Sequence, residues 1–181
     1  MKKNLLTGIL LVVSGIAFAQ QEITYYKKGV RQAKKGNYLK AKKFFTIAIE
    51  ENPFSRAYYN RALAKSYLQE YGSAIEDYTK AIELRPHFAI AYNNRGADKN
   101  ELKDYKGALE DYSKAIEQEP LYARAYYNRG IVYYNLREYN KAIADFSKAL
   151  TLNPGDKEAE KNKAIAEKRQ NEEANFSVIV I

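Results

Sequence analysis

Two pairs of adjacent acids, Glu76-Asp77 and Glu110-Asp111, are the residues best suited to bond-breaking chemistry. Two carboxylates can divide the acid and base roles in cleaving a sugar bond. The pairs sit at equivalent places 34 residues apart, however, and neighbours in a helix do not face each other. They therefore read as solvated helix surface. His87 is the one histidine, follows Pro86 in a connecting loop and has no nucleophile partner in view, which leaves multi-histidine metal sites impossible. The chain has no cysteine, so disulfides, thiolate metal ligands, cysteine nucleophiles and amino-terminal lipid anchoring are excluded. No glycine-rich phosphate loop is present. The expectation is a protein without catalysis, metal or cofactor.

What positions these residues is a repeat. Prolines fall at Pro53, Pro86, Pro120 and Pro154. Small residues keep the same period at Gly29, Ala62, Gly96 and Gly130, at Ala41, Ala74, Ala108 and Ala142, and at Ala48, Ala81, Ala115 and Ala149. Aromatics hold it too, as Tyr25, Tyr58, Tyr92 and Tyr126 show, with near-identical strings such as YYNRA and YYNRG, DYTKAI and DYSKAI. Each period divides into two amphipathic helices that break after Leu68, Leu102 and Leu136. The small residues let paired backbones approach and the aromatics fill the space around them. Proline stops the second helix, since its ring and missing N–H cannot continue one. On the outer face Glu76 with Lys80, and Glu110 with Lys114, are spaced for ion pairs four apart. One such hairpin cannot bury its own apolar face, so neighbours must stack.

This pattern resembles the tetratricopeptide repeat family, with tyrosine where the family often carries tryptophan. The resemblance implies an all-α fold, a right-handed superhelical α-solenoid of four helix-turn-helix repeats, at about residues 22–54, 55–88, 89–122 and 123–156. The first repeat diverges most, having Lys28, Gln32 and Lys35 where apolar residues are usual. After Pro154 the connection turns polar at Gly155-Asp156, with Asp156 placed to cap a final helix at 157–174. That helix is charged apart from a thin stripe of Ala159, Ile165 and Ala166, as suits a solubilising cap.

In the family the first helix of each pair lines the concave side. The resemblance therefore assigns to the groove Tyr26 from the first repeat; Arg56, Tyr59, Asn60 and Tyr67 from the second; Asn93 and Asn94 from the third; and Arg124, Tyr127, Asn128 and Tyr134 from the fourth. Tyrosine and arginine dominate binding hot spots because they combine contact area with hydrogen bonding. The bland alternative is that some of these tyrosines only pack against the next repeat. A subset of the family grips a chaperone's C-terminal carboxylate with lysine, asparagine and arginine. The matching positions here are Tyr26, Val30, Asn60, Ile90 and Asn94, of which only Asn60 fits, and a shift by one repeat adds only Asn94 and Arg124. That clamp is absent. The implied function is a non-enzymatic scaffold that holds a peptide or protein segment in its groove, with self-association also open.

Residues 1–19 carry Lys2 and Lys3, an apolar run from Leu5 to Phe18 and the string Ala17-Phe18-Ala19, which reads as a secretory signal peptide cleaved before Gln20. The run is short of the roughly 20 apolar residues a spanning helix needs, so no integral membrane span is expected after cleavage. The expected location is the bacterial periplasm or outside the cell, which argues against a nucleic-acid partner. The mature chain would carry +6, unevenly: residues 20–53 contribute +5, with eight Lys/Arg against three Asp/Glu. The alternative function is thus an envelope-surface adaptor that meets anionic lipid or polymer through this basic first repeat, and the competing reading of the patch is a solvated end-face. Residues 175–181 close the chain with the apolar, strand-prone run Phe176-Ser177-Val178-Ile179-Val180-Ile181. It can fold back on the groove, extend a partner's sheet, or mark a chain cut from something longer.

Overall fold

The computed structural model describes residues 24–179. The expected signal peptide and the last two residues of the tail lie outside them. Every regular element among the described residues is helical: α1 (24–34), α2 (Tyr38–Glu51), α3 (Ser55–Tyr67), α4 (Tyr71–Leu84), α5 (Ala89–Glu101), α6 (Tyr105–Gln118), α7 (Ala123–Asn135), α8 (Tyr139–Leu152) and α9 (Lys157–Ile179). No described helix is long and apolar enough to cross a membrane. The chain divides into two compact units, one ending at Pro86 and the other beginning at His87. The first holds the hairpins α1–α2 and α3–α4, with α2 packed on α3. In the second, α5–α6 and α7–α8 pack through α6 and α7, and α9 covers α8.

Both kinds of chain reversal follow from local chemistry. The long helices α2, α4, α6 and α8 each stop one residue short of a pre-proline position, Asn52, Arg85, Glu119 or Asn153. The proline ring clashes with a helical conformation in the residue before it, and all four have left the helix, with ψ between 81° and 112°. Within each hairpin the first helix ends in a left-handed residue: Gly36, Gln69, Lys103 or Arg137, at φ from 60° to 74°. Around Gln69, its N–H donates to Ser66 O and Glu70 N–H donates to Lys65 O, both at 2.9 Å. The same pair of bonds recurs at the other three turns. This Schellman arrangement satisfies helix-end carbonyls that would otherwise face solvent alone.

The core repeats with the sequence. Ala41, Ala74, Ala108 and Ala142 are all fully buried, as are Phe45, Tyr78 and Phe146. At Gly130 a Cβ would come within 2.8 Å of the Phe146 ring, so the absent side chain of α7 makes room for the ring that α8 packs against it. The cap helix starts where expected, since the Asp156 carboxylate accepts from the N–H groups of Glu158 and Ala159 at 3.1 and 3.0 Å. Ala159 and Ala166, seven residues apart on one face, are buried; Ile165 is a third of a turn away and stays 37% exposed. The helix also runs on to Ile179, past the expected end at residue 174. No glycine or proline follows Gly155 to stop it, which overrides the strand propensity read into the tail.

Candidate functional site

The first helices of the hairpins carry the candidate residues, and many of these are already engaged with the neighbouring repeat. Asn60 Nδ2 of α3 donates to Tyr26 Oη of α1 at 2.8 Å, and Asn162 Nδ2 of α9 donates to Tyr127 Oη of α7 at 2.9 Å. Between α7 and α5, Asn128 Nδ2 donates to Asn93 Oδ1 at 3.0 Å, and Asn93 in turn donates to Asn94 Oδ1 at 3.1 Å. The partners stand 34 or 35 residues apart, one full repeat. These bonds fix the register of successive first helices. Asn93 is only 1% exposed, so it is a packing residue and not a free groove contact, which corrects its expected place.

The tyrosine ladder leaves something over. A phenol oxygen that accepts a hydrogen bond still has its own O–H to donate. Tyr26 and Tyr127, both half-buried, are in that condition. Burial holds the Tyr127 phenol above its usual range, with Glu158 adding to the effect, so it remains a neutral donor. Their rings rest on the framework aromatics: Tyr26 on Phe45 at 5.8 Å, Tyr59 on Tyr78 at 5.8 Å and Tyr127 on Phe146 at 5.8 Å. Arg56 and Arg124 are exposed in the first turns of α3 and α7. Tyr67, at the last position of α3, is 59% exposed and lies face to face with Tyr38, the centroids 4.2 Å apart and the planes within 7°. Tyr134 of α7 is half-buried against Tyr139 of α8 at 5.5 Å. Asn94 is half-buried beside Asn93.

The acid pairs are not solvated surface throughout. Glu76 and Glu110 are exposed as expected, but Asp77 and Asp111 are only 4% and 3% exposed. Arg61 grips Asp77 through Nε and Nη2, both at 2.7 Å, and Lys65 Nζ adds a third contact at 2.8 Å. Arg95 and Lys99 hold Asp111 in the same way at 2.7–2.9 Å. Arg129 holds Asp145 at 2.7 and 2.9 Å, with Tyr133 in place of the lysine. The bond to Asp77 raises Arg61, and that to Asp145 raises Arg129, above the ordinary guanidinium value. Each of these arginines also lies over a tyrosine ring, Tyr58, Tyr92 or Tyr126, at 5.4–5.7 Å.

Around Glu110-Asp111 the surface has a hollow of about 620 Å³ lined also by Tyr92, Leu109 and Lys114. Glu117 also lines this hollow, but Asp111 is committed to two cations and Glu117 to Lys114 at 2.7 Å. The expected pairs Glu76–Lys80 and Glu110–Lys114 also give way to Lys80–Glu83 and Lys114–Glu117, each at 2.7 Å. The Arg–Asp forks were missed in the sequence reading. Their signal was there: Arg61, Arg95 and Arg129 recur with Asp77, Asp111 and Asp145 sixteen residues on. The first repeat loses both together, with Lys28 over Tyr25 at 4.8 Å and Phe44 stacked on Tyr25 at 6.3 Å.

Helical hairpins of one length, joined by proline-stopped connections and locked by equivalent side chains, define a helical repeat protein whose first helices present polar and aromatic groups. The tetratricopeptide repeat model matches residues 55–88 and 123–156, and a TPR repeat model matches residues 99–136. Together they cover more than half of the chain, which belongs to the tetratricopeptide repeat family. An uncharacterized protein of Methanocaldococcus jannaschii is 44% identical over 64 residues, covering 35% of this chain and 74% of its own length. The crystal structure of the MamA protein has a TM-score of 0.79, with 23% identity and 84% of each chain covered, a likeness of fold. The first TPR of Spaghetti, solved bound to the HSP90 peptide SRMEEVD, has a TM-score of 0.64 at 23% identity, covering 65% of this chain and 93% of that one. Proteins of this family generally mediate protein–protein interactions.

Proposed function

We propose that the chain is a non-enzymatic scaffold that binds a peptide or protein segment along its first helices. The observation that carries this is the pairing of a committed acceptor with a spare donor. Tyr26 and Tyr127 each take a hydrogen bond from the next repeat and keep an O–H for a ligand carbonyl or carboxylate. Arg56 and Arg124 stand exposed on the same helices as Tyr59 and Tyr127. A structural neighbour that holds a peptide supports the reading. The proposed setting is the bacterial envelope, on the strength of the segment Met1–Ala19.

The test is capture from native extract by the protein and by an Arg56→Ala/Arg124→Ala double variant. Both arginines are exposed, so the variant should keep its thermal midpoint. A partner held by the first and lost by the second is the expected result, and equal capture by both overturns the proposal. For the location, amino-terminal sequencing of the native protein should begin at Gln20, a start at Met1 would refute cleavage, and recovery in the cytoplasmic fraction would refute export.

A further inference from the structure

The positive charge of this chain sits in its first unit. Residues 20–86 carry a net +6, while residues 87–181 balance at zero, fifteen Lys/Arg against fifteen Asp/Glu. Within the first hairpin Lys42 is neutralised by Glu70 at 2.6 Å and Lys28 rests on the Tyr25 ring. The other six cations, Lys27, Arg31, Lys34, Lys35, Lys40 and Lys43, are exposed and meet no carboxylate among the described residues. The later hairpins differ: Lys80, Lys114 and Lys141 each pair with a glutamate three residues away. Unpaired cations on a folded surface cost self-repulsion, which an acidic partner relieves.

These charges adjoin an aromatic platform. Lys34 ends α1, and Lys35 follows it in the turn that leads to Tyr38, whose ring stacks on Tyr67. Tyr67 and the neighbouring Leu39 are both more than half exposed. At the opposite end of α3 stands Arg56, eleven residues from Tyr67, which is about 16 Å along a helix. Tyr26 offers its O–H from the adjoining helix. About five extended residues span that distance at roughly 3.3 Å each.

We infer that the first unit binds an extended acidic peptide segment, with carboxylates at Arg56 and at Lys34–Lys35 and an apolar or proline residue on the exposed face of Tyr67. This rests on the scaffold reading above and assigns its ligand chemistry. It requires no free C-terminal carboxylate, because the cations lie at both ends of the span. An anionic membrane would meet the same charges, but the Tyr67 platform and the Tyr26 donor suit a chain with side chains and carbonyls.

The probe is the synthetic peptide Glu-Asp-Leu-Pro-Tyr-Asp-Glu, blocked at both ends and fluorescently labelled. It is titrated with the full-length protein beside a version carrying Gln and Asn for the acids and a version carrying Lys. The acidic peptide should bind at least tenfold tighter than either control and weaken as salt rises. Arg56→Ala and Tyr67→Ala should each weaken it at least fivefold, and Lys106→Ala, a cation removed from the second unit, should leave it unchanged. All three positions are exposed, and equal melting curves would show that the variants fold.

Binding of all three peptides alike overturns the acidic specificity and leaves the scaffold reading standing. Loss of binding with Lys106→Ala, and not with Arg56→Ala, moves the ligand to the second unit and overturns the assignment. Binding of none, with attachment to phosphatidylglycerol vesicles, overturns the inference in favour of a lipid surface. Binding to neither probe overturns it outright, and the scaffold reading is then judged by the capture experiment alone.

Discussion

Asn162 Nδ2 donates to Tyr127 Oη at 2.9 Å, joining the cap helix to α7, just as Asn60 joins α3 to Tyr26 of α1 at 2.8 Å. The bond makes a candidate groove tyrosine a strut between helices as well. Tyr127→Phe removes the acceptor and leaves a half-buried amide short of a partner, which should cost about 1 kcal/mol. Asn162→Ala should cost a similar amount, and the double variant less than the total of the two. Urea unfolding of the four proteins measures the coupling. Strict additivity would show that the bond contributes nothing.

Asp111 and Glu110 are neighbours with opposite fates. Asp111→Asn strips the charge that Arg95 and Lys99 share, and should cost roughly 2–3 kcal/mol. That is below the 3–5 typical of a fully buried pair, because the cations retain some solvent. Glu110→Gln should stay within about 0.5 kcal/mol. Equal effects in urea melts would place both acids in solvent.

Lys103 bears left-handed backbone at φ 61° with a side chain that makes no ion pair among the described residues. Gly36 fills the same role in the first hairpin without the steric cost. Lys103→Gly should therefore stabilise the chain by up to about 1 kcal/mol, while Lys103→Val should destabilise it, since a β-branched residue tolerates that conformation worst. A lower thermal midpoint for the glycine variant would contradict this.

Burial holds the phenols of Tyr112 and Tyr122 above the usual range, and that of Tyr127 likewise. A group whose proton is held more tightly folded than unfolded gives its full contribution below the unfolded value, about 10 for tyrosine. Above it the unfolded chain ionises first, so stability should fall by about 1.4 kcal/mol per pH unit through Tyr112, and by less through Tyr122 and Tyr127, which keep more solvent. Tyr112→Phe should make the alkaline fall shallower, and Phe45 and Phe146 show that phenylalanine fits the equivalent place. An unchanged alkaline slope in the variant would refute the assignment to Tyr112.

Much of the fold was legible because its causes are local. A proline ends a helix wherever it falls, and small residues at Ala41, Ala74, Ala108 and Ala142 announce close approach in any repeat of this length. The candidate site was legible only as a face. The family resemblance placed Arg56, Tyr59, Asn60 and Tyr67 on it, but could not say which were already spent on a neighbour. Nor could it separate Asp77 from Glu76. One residue turns a helix by 100°, enough to put one acid under Arg61 and the other in water.

The amino-acid order alone thus determined the repeat, its period, the helix ends set by proline and the basic first hairpin, since each depends on residues near one another in the chain. Only the tertiary structure decided which polar groups are consumed. Whether Asn60 reaches Tyr26, Asn162 reaches Tyr127, or Arg95 closes on Asp111 depends on how helices pack, and a hydrogen bond tolerates only a few tenths of an ångström. What packing left unspent is what the proposed binding would draw on: the hydroxyl protons of Tyr26 and Tyr127, the exposed ring of Tyr67, and the first-hairpin cations that meet no carboxylate among the described residues.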